Sequence, residues 1–250
     1  MSQMTPLPLT SHAALFLDFD GTLVEMASTP SAIEMPDALP FLLRRTATML
    51  NGALAVVTGR PIVSIDSFLP GAVAAIAGLH GAELRDSRGQ LTRAELDLPA
   101  VKTARALLND FKRERPEVLL EDKGLSLALH FRGAPHLGEE CRTVIDLCVG
   151  KARGHLERLD GAFVSEIKPK NVSKARAIET FMKSAPFKGR SPIFAGDDVG
   201  DEAGFEYIAK INGIGIIVGG RSPTAATQRL RSVTALHQWL RTFVTGPNHD

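Results

Sequence analysis

Asp18 and Asp20 stand two positions apart in FLDFDGTL, at the end of an apolar run that begins at residue 13. Further along, GDDVGDE (196–202) crowds Asp197, Asp198, Asp201 and Glu202 into seven positions. Like charges gathered at strand ends call for a counter-ion, and hard carboxylate oxygens with room for water and a phosphate favour Mg²⁺. A carboxylate in such a site can attack phosphorus to form an aspartyl-phosphate. A second carboxyl nearby can protonate the leaving oxygen and later activate water. Plainer readings stand beside these. DFDGT suits a turn whose Asp and Gly supply local hydrogen bonds. Asp201 and Glu202 suit the first turn of a following helix through its dipole, which accounts for two of the four acids.

TGRP (58–61) sets the Thr58 hydroxyl and the Gly59 amide just before a helix whose first position is Pro61. A helix N-terminus is a ready anion site, and Thr58 serves equally well as an ordinary N-cap. Lys174, in NVSKARAIETF, falls in the first turn of a predicted helix, where a cation opposes the dipole. A broken local rule often marks function, here neutralising a phosphate together with Asp18; a surface lysine is the ordinary alternative. The glycine-rich INGIGIIVGG (211–220) lacks the GK[ST] of a phosphate loop and reads as a turn, a core strand and another turn.

These groups need a scaffold that brings distant run-ends together. Unbroken apolar runs recur at 13–17, 53–57, 72–77, 193–195 and 214–218, separated by stretches of helical spacing such as KARAIETFMK and DEAGFEYIAK. Apolar runs without alternation suit a parallel sheet covered on both faces, and their alternation with helices predicts an open α/β sheet. In such a sheet ligands bind at the carboxyl ends of the strands, where the polar clusters lie. Between residues 85 and 168 the texture changes. A helix near 100–114, two strands around DKG (122–124) and a helical ECRTVIDLCVGKA predict an inserted α+β unit. In LSLALHFR, Leu127, Leu129 and Phe131 alternate with Ser126, Ala128, His130 and Arg132, giving one apolar and one polar face.

The chain as a whole sets bounds. Its 250 residues, 44% hydrophobic and 23% charged, describe an ordinary globular protein. A net charge of +1 and 6% aromatics give neither a basic field nor stacking platforms for nucleic acid. No apolar stretch approaches the ~20 residues of a membrane helix, and MSQMTPLPLTSH does not read as a signal peptide, so cytoplasmic residence is expected. Cys141 and Cys148, spaced i, i+7, read as small core residues on one helix face.

DFDGT, TGR, a lysine at a helix start and GDDxxDE, in that order, resemble the haloacid dehalogenase superfamily of phosphohydrolases. GLHGAELRD (78–86), LEDKGLSLALHFR (120–132), SEIKPKNVSKARAIETFM (165–182) and APFKGRSPIFAGDDVGDEAGF (185–205) further resemble bacterial trehalose-6-phosphate phosphatases. The resemblance implies a Rossmann-like core, residues 1–84 and 169–250, with an inserted cap at 85–168 that sets substrate specificity. It implies Mg²⁺-dependent hydrolysis of trehalose 6-phosphate to trehalose and phosphate. Asp18 would be nucleophile and Asp20 general acid/base, with Thr58 and Lys174 holding the phosphate beside Gly59 and Arg60. Mg²⁺ would sit on the Asp18 carboxylate, the Asp20 backbone carbonyl and Asp197, with Asp201 assisting or orienting Lys174. Glu121, Lys123, His130 and Arg132 of the cap, with Glu166, would recognise the sugar. Departures from the family pattern are Gly200 in place of Thr and Ala175 in place of Gly. A monomer whose cap hinges near Arg85–Ser87 and Lys168–Lys170 is expected. A phosphatase or phosphomutase for another sugar phosphate, and a silent sugar-phosphate binder, are the alternatives.

Overall fold

The computed structural model describes residues 8–27, 29, 32–95 and 98–246. Its main sheet has eight strands: β1 (Ala13–Leu17), β2 (Leu54–Val57), β3 (Ala75–Gly78), β4 (Glu83–Arg85), β5 (Leu91–Arg93), β10 (Ser191–Gly196), β11 (Ile214–Val218) and β12 (Gln228–Leu230). Their order is β12-β11-β10-β1-β2-β3-β4-β5, parallel from β12 through β3 and antiparallel at β4. Every residue of β1, β2 and β3 is buried, which a strand achieves only when helices cover both faces. The helices of this unit are α1 (Leu39–Met49), α2 (Ile62–Phe68), α5 (Lys174–Met182), α6 (Glu202–Lys210) and α7 (Val233–Thr245). The aromatic core closes around β1, where Phe16 stacks on Phe187 with centroids 5.3 Å apart. The run read in INGIGIIVGG is β11, a buried core strand.

A second compact unit, Arg93–Val172, is inserted into the first. It contains α3 (Leu98–Glu114), β6 (Leu119–Asp122), β7 (Leu127–His130), α4 (Gly138–Lys151), β8 (Leu156–Gly161) and β9 (Val164–Pro169). Its antiparallel sheet runs β6-β7-β9-β8. Leu127, Leu129, Phe131 and Ile167 pack with Val101, Ala104 and Leu108 of α3 and with Cys141, Ile145 and Cys148 of α4. The two cysteines are free, buried on one face of α4 and pushed up to about 11, chiefly by burial.

The division falls at 92/93 and 172/173 rather than at 84/85 and 168/169. Residues 83–92 stay with the main unit because β4 pairs with β3, and the turn into β5 is closed by Asp86, whose carboxylate accepts the amides of Arg88 and Gln90. Lys168 and Pro169 lie within β9, and the Lys170 amide donates to the His155 carbonyl, so both belong to the inserted unit. Neither expected hinge therefore lies at a boundary: Arg85–Ser87 is part of a hairpin and Lys168–Lys170 part of a paired strand end.

Candidate active site

Four segments of the main unit converge at the carboxyl ends of β1, β2 and β10. Asp18 follows directly from β1, and its amide donates to the Ala195 carbonyl of β10, which fixes the start of the DFDGT turn. Gly21 closes that turn at φ 74°, and a Cβ there would lie 2.1 Å from Asp197 Oδ2. Only glycine admits both the left-handed backbone and the carboxylate above it.

Lys174 is the first residue of α5, behind the Ser173 N-cap whose hydroxyl accepts the Arg176 amide. Its side chain is buried, and Nζ lies 2.6 Å from Asp18 Oδ1 and 2.6 Å from Asp201 Oδ1. Burial opposes the ammonium, but the Asp18 and Asp201 carboxylates outweigh it and hold Lys174 above its ordinary range. Two buried acids thus explain a cation placed against the helix dipole.

Asp201 is fully buried, and its second oxygen accepts the amides of Asp197 and Asp198, each at 3.0 Å. It therefore shapes the GDDVGDE loop and aims Lys174, while also standing at the helix start where the sequence places it, in the first turn of the 3-10 helix Val199–Asp201 and just before α6. Glu202 pairs with Arg221 and accepts the Ala225 amide. Asp197 is held by the Thr22 hydroxyl at 3.3 Å and is pushed up to about 7 by burial and then by Asp201. Asp18 is raised well above the ordinary carboxylate value by burial, against the pull of Lys174 and with the push of Asp201 and Asp197.

Asp18, Asp197 and Asp201 each offer an oxygen, all within 4.8 Å of one another. Three carboxylates around one ammonium leave a charge deficit in a buried place. A hard divalent cation on Asp18 and Asp197 fits that donor set.

Arg60 reaches Asp20 through two hydrogen bonds, Nε to Oδ2 at 2.7 Å and Nη2 to Oδ1 at 2.8 Å. The guanidinium also lies over the rings of Phe19 and Phe68, at 5.6 and 5.4 Å. The Asp20 side chain thus engages Arg60. Thr58 is buried at the end of β2, and its hydroxyl oxygen accepts the Arg60 amide at 3.2 Å. Pro61 is the N-cap of α2, one position before the helical start expected of it.

The inserted unit carries a second polar cluster, described by itself. Glu121 on β6 pairs with His130 on β7, Oε2 to Nε2 at 2.8 Å. Lys123 lies 3.0 Å from Glu166 on β9 and 3.8 Å from Glu121. Strand register explains the meeting: Glu121 faces Ala128, and Ala128 faces Glu166. Burial pushes Glu121 up, but the His130 hydrogen bond and the Lys123 charge outweigh it and hold the carboxyl below its ordinary value. Arg132 stands apart from these pairs, its guanidinium over the Phe163 ring at 5.1 Å. The polar face read from LSLALHFR is more enclosed than a solvated sheet face, since Ser126 and Ala128 are buried.

Sequence reasoning passed over Thr22, Glu83 and Arg221. Thr22 lies within DFDGT, so its hydroxyl was available to it; Arg221 follows a glycine pair with no local signal, yet donates to the Asp197 carbonyl at 3.3 Å.

The trehalose-phosphatase family model matches residues 16–234. The chain belongs to the trehalose-phosphatase family. It is 35% identical over 237 residues to the trehalose-6-phosphate phosphatase of Escherichia coli (strain K12), covering 95% of this chain and 88% of that one. It is 38% identical over 230 residues to a probable trehalose-phosphate phosphatase of Sinorhizobium fredii, covering 88% and 82%. The solved C-terminal domain of the Candida albicans trehalose-6-phosphate phosphatase superposes with a TM-score of 0.83 at 18% identity, covering 94% of this chain and 92% of that one. A Bacteroides thetaiotaomicron phosphatase of the haloalkanoate superfamily shares the fold at a TM-score of 0.62 and 17% identity, covering 95% and 97%. The fold is that of this superfamily, a parallel-sheet core with an inserted unit.

Proposed function

We propose that this protein hydrolyses trehalose 6-phosphate to trehalose and phosphate through a phosphoryl group carried on Asp18. The observation that carries the reading is the buried contact of Lys174 with Asp18 and Asp201 in a chain of the trehalose-phosphatase family. Asp18 Oδ attacks phosphorus as the bond to the sugar oxygen breaks, and Asp20 gives that oxygen its proton. Asp20 then takes a proton from water, whose oxygen attacks phosphorus and frees Asp18. Serving as acid requires the Asp20 carboxyl to leave its pair with Arg60 and take up a proton. Thr58 and Lys174 hold the phosphoryl oxygens, with the ammonium opposing the charge that develops there. Mg²⁺ is the cation this reading assigns to Asp18, Asp197 and the Asp20 backbone carbonyl; when bound, it polarises the phosphoryl group and offsets the carboxylate charge.

Glu121, Lys123, His130, Arg132 and Glu166 recognise the sugar in this reading. Charged groups make strong hydrogen bonds to hydroxyls, and the pairing of Glu121 with His130 and of Lys123 with Glu166 pre-sets the directions of these four. The unit then acts as the specificity cap, with cytoplasmic residence part of the same reading. The test is phosphate release from trehalose 6-phosphate, glucose 6-phosphate, sucrose 6-phosphate and mannosyl-3-phosphoglycerate, each with Mg²⁺ and with EDTA. The expected result is Mg²⁺-dependent release with strong preference for trehalose 6-phosphate. Equal rates on all four would remove the sugar assignment, and a phosphorylated product without free phosphate would indicate a mutase.

A further inference from the structure

GLHGAE (78–83) has no part in the chemistry above, yet it touches two of the segments that carry it. Leu79, His80 and Gly81 have positive φ in succession, 50°, 58° and 104°. Leucine and histidine disfavour that region, and such backbone persists where its surroundings fix it. Here the surroundings are the TGR loop. The Leu79 amide donates to the Arg60 carbonyl at 2.9 Å and the His80 amide to the Thr58 carbonyl at 2.8 Å. Glu83 Oε2 accepts the Ile62 amide at 3.0 Å. The His80 ring lies against Gly59, where a Cβ would fall 2.7 Å from both Cε1 and Nε2. On the other side, a Cβ on Gly81 would lie 3.1 Å from Ala177 Cβ and 3.2 Å from the Ser173 carbonyl, at the start of the helix that bears Lys174.

We propose that this turn is a spacer between the Thr58 loop and the Lys174 helix, with His80 as its positioning residue. It rests on the reading that Thr58 and Lys174 hold the phosphoryl group. The left-handed pair turns two successive amides onto the carbonyls that flank Gly59, and the ring fills the space that a side chain at 59 would take. The loop is thereby held from behind, which leaves the Thr58 hydroxyl at a fixed separation from the ammonium.

The test is a size-exchange cycle read by calorimetric titration with inorganic phosphate in saturating Mg²⁺, beside titration with Mg²⁺ alone. Gly59→Ala drives a methyl into the ring, and His80→Gly removes the ring while keeping the backbone region. Each is expected to weaken phosphate binding about tenfold, and the double variant to bind more tightly than either, as coupled neighbours do. Mg²⁺ affinity is expected to hold in all of them, which a general loss of structure would not allow. His80→Asn, which tolerates left-handed backbone, runs in parallel so that the ring's role is read even if the glycine variant does not fold. Additive losses, or single variants with unaltered phosphate affinity, would overturn the spacer alone. A wild-type protein that binds Mg²⁺ but no phosphate would remove the underlying reading and the spacer with it.

Discussion

Among single residues, the balance of charge around Lys174 has measurable consequences. Asp197, pushed up to about 7 by burial and Asp201, is protonated below that value when no cation is present. A cation must displace that proton, and Asp18, the other carboxylate assigned to it, is likewise raised by burial, so affinity rises as pH climbs through 7. Calorimetric titration with Mg²⁺ from pH 6 to 8.5 is expected to show this rise, and pH-independent binding would contradict it. Gly200 bears on the same loop from the side of stability. It has no left-handed φ, and a Cβ there would meet nothing within 4 Å. Gly200→Ala is therefore expected to raise stability by about 0.4–1 kcal/mol, by narrowing the unfolded ensemble, as read from urea midpoints. The acids themselves were legible in the sequence because their crowding has no cheap structural explanation. Their partners were less so: that Arg60 would grip Asp20, and that Asp201 would fold back on two amides, depends on side-chain directions that spacing does not fix.

At the scale of elements, the apolar runs at 13–17, 53–57, 193–195 and 214–218 were readable as β1, β2, β10 and β11 because strands buried on both faces leave no polar alternation to confuse the pattern. The ends of the inserted unit were harder. β4 and β5 are three residues each; β4 joins the main sheet by pairing with β3 and β5 joins beside β4, which leaves little local trace. The i, i+7 spacing of the cysteines correctly placed both on the buried face of α4. With thiols at about 11 and no exposure, neither should react with iodoacetamide at pH 8 while α4 stays packed. Mass spectrometry is expected to find both free of label in native protein and both labelled in denaturant; rapid labelling of the native chain would contradict the packing of this helix.

For the whole molecule, the proposed function assigns chemistry to the main unit and recognition to the inserted one. Glu121→Gln keeps volume and removes the charge that His130 and Lys123 meet. It is expected to raise KM for trehalose 6-phosphate about tenfold or more, the effect of losing a charged hydrogen bond to substrate. Turnover of p-nitrophenyl phosphate, which has no sugar, should stay within about threefold, since the main unit's groups are untouched. A parallel fall on both substrates would deny the inserted unit its role in specificity.

Attack by Asp18 itself is tested most directly by the stereochemical course at phosphorus, using the phosphorothioate analogue of trehalose 6-phosphate, made chiral there with two oxygen isotopes and hydrolysed in water enriched in the third. Two successive in-line displacements, first by Asp18 and then by water, predict inorganic thiophosphate of retained configuration. Inversion would mean that water attacks in one step, and would contradict an Asp18 nucleophile.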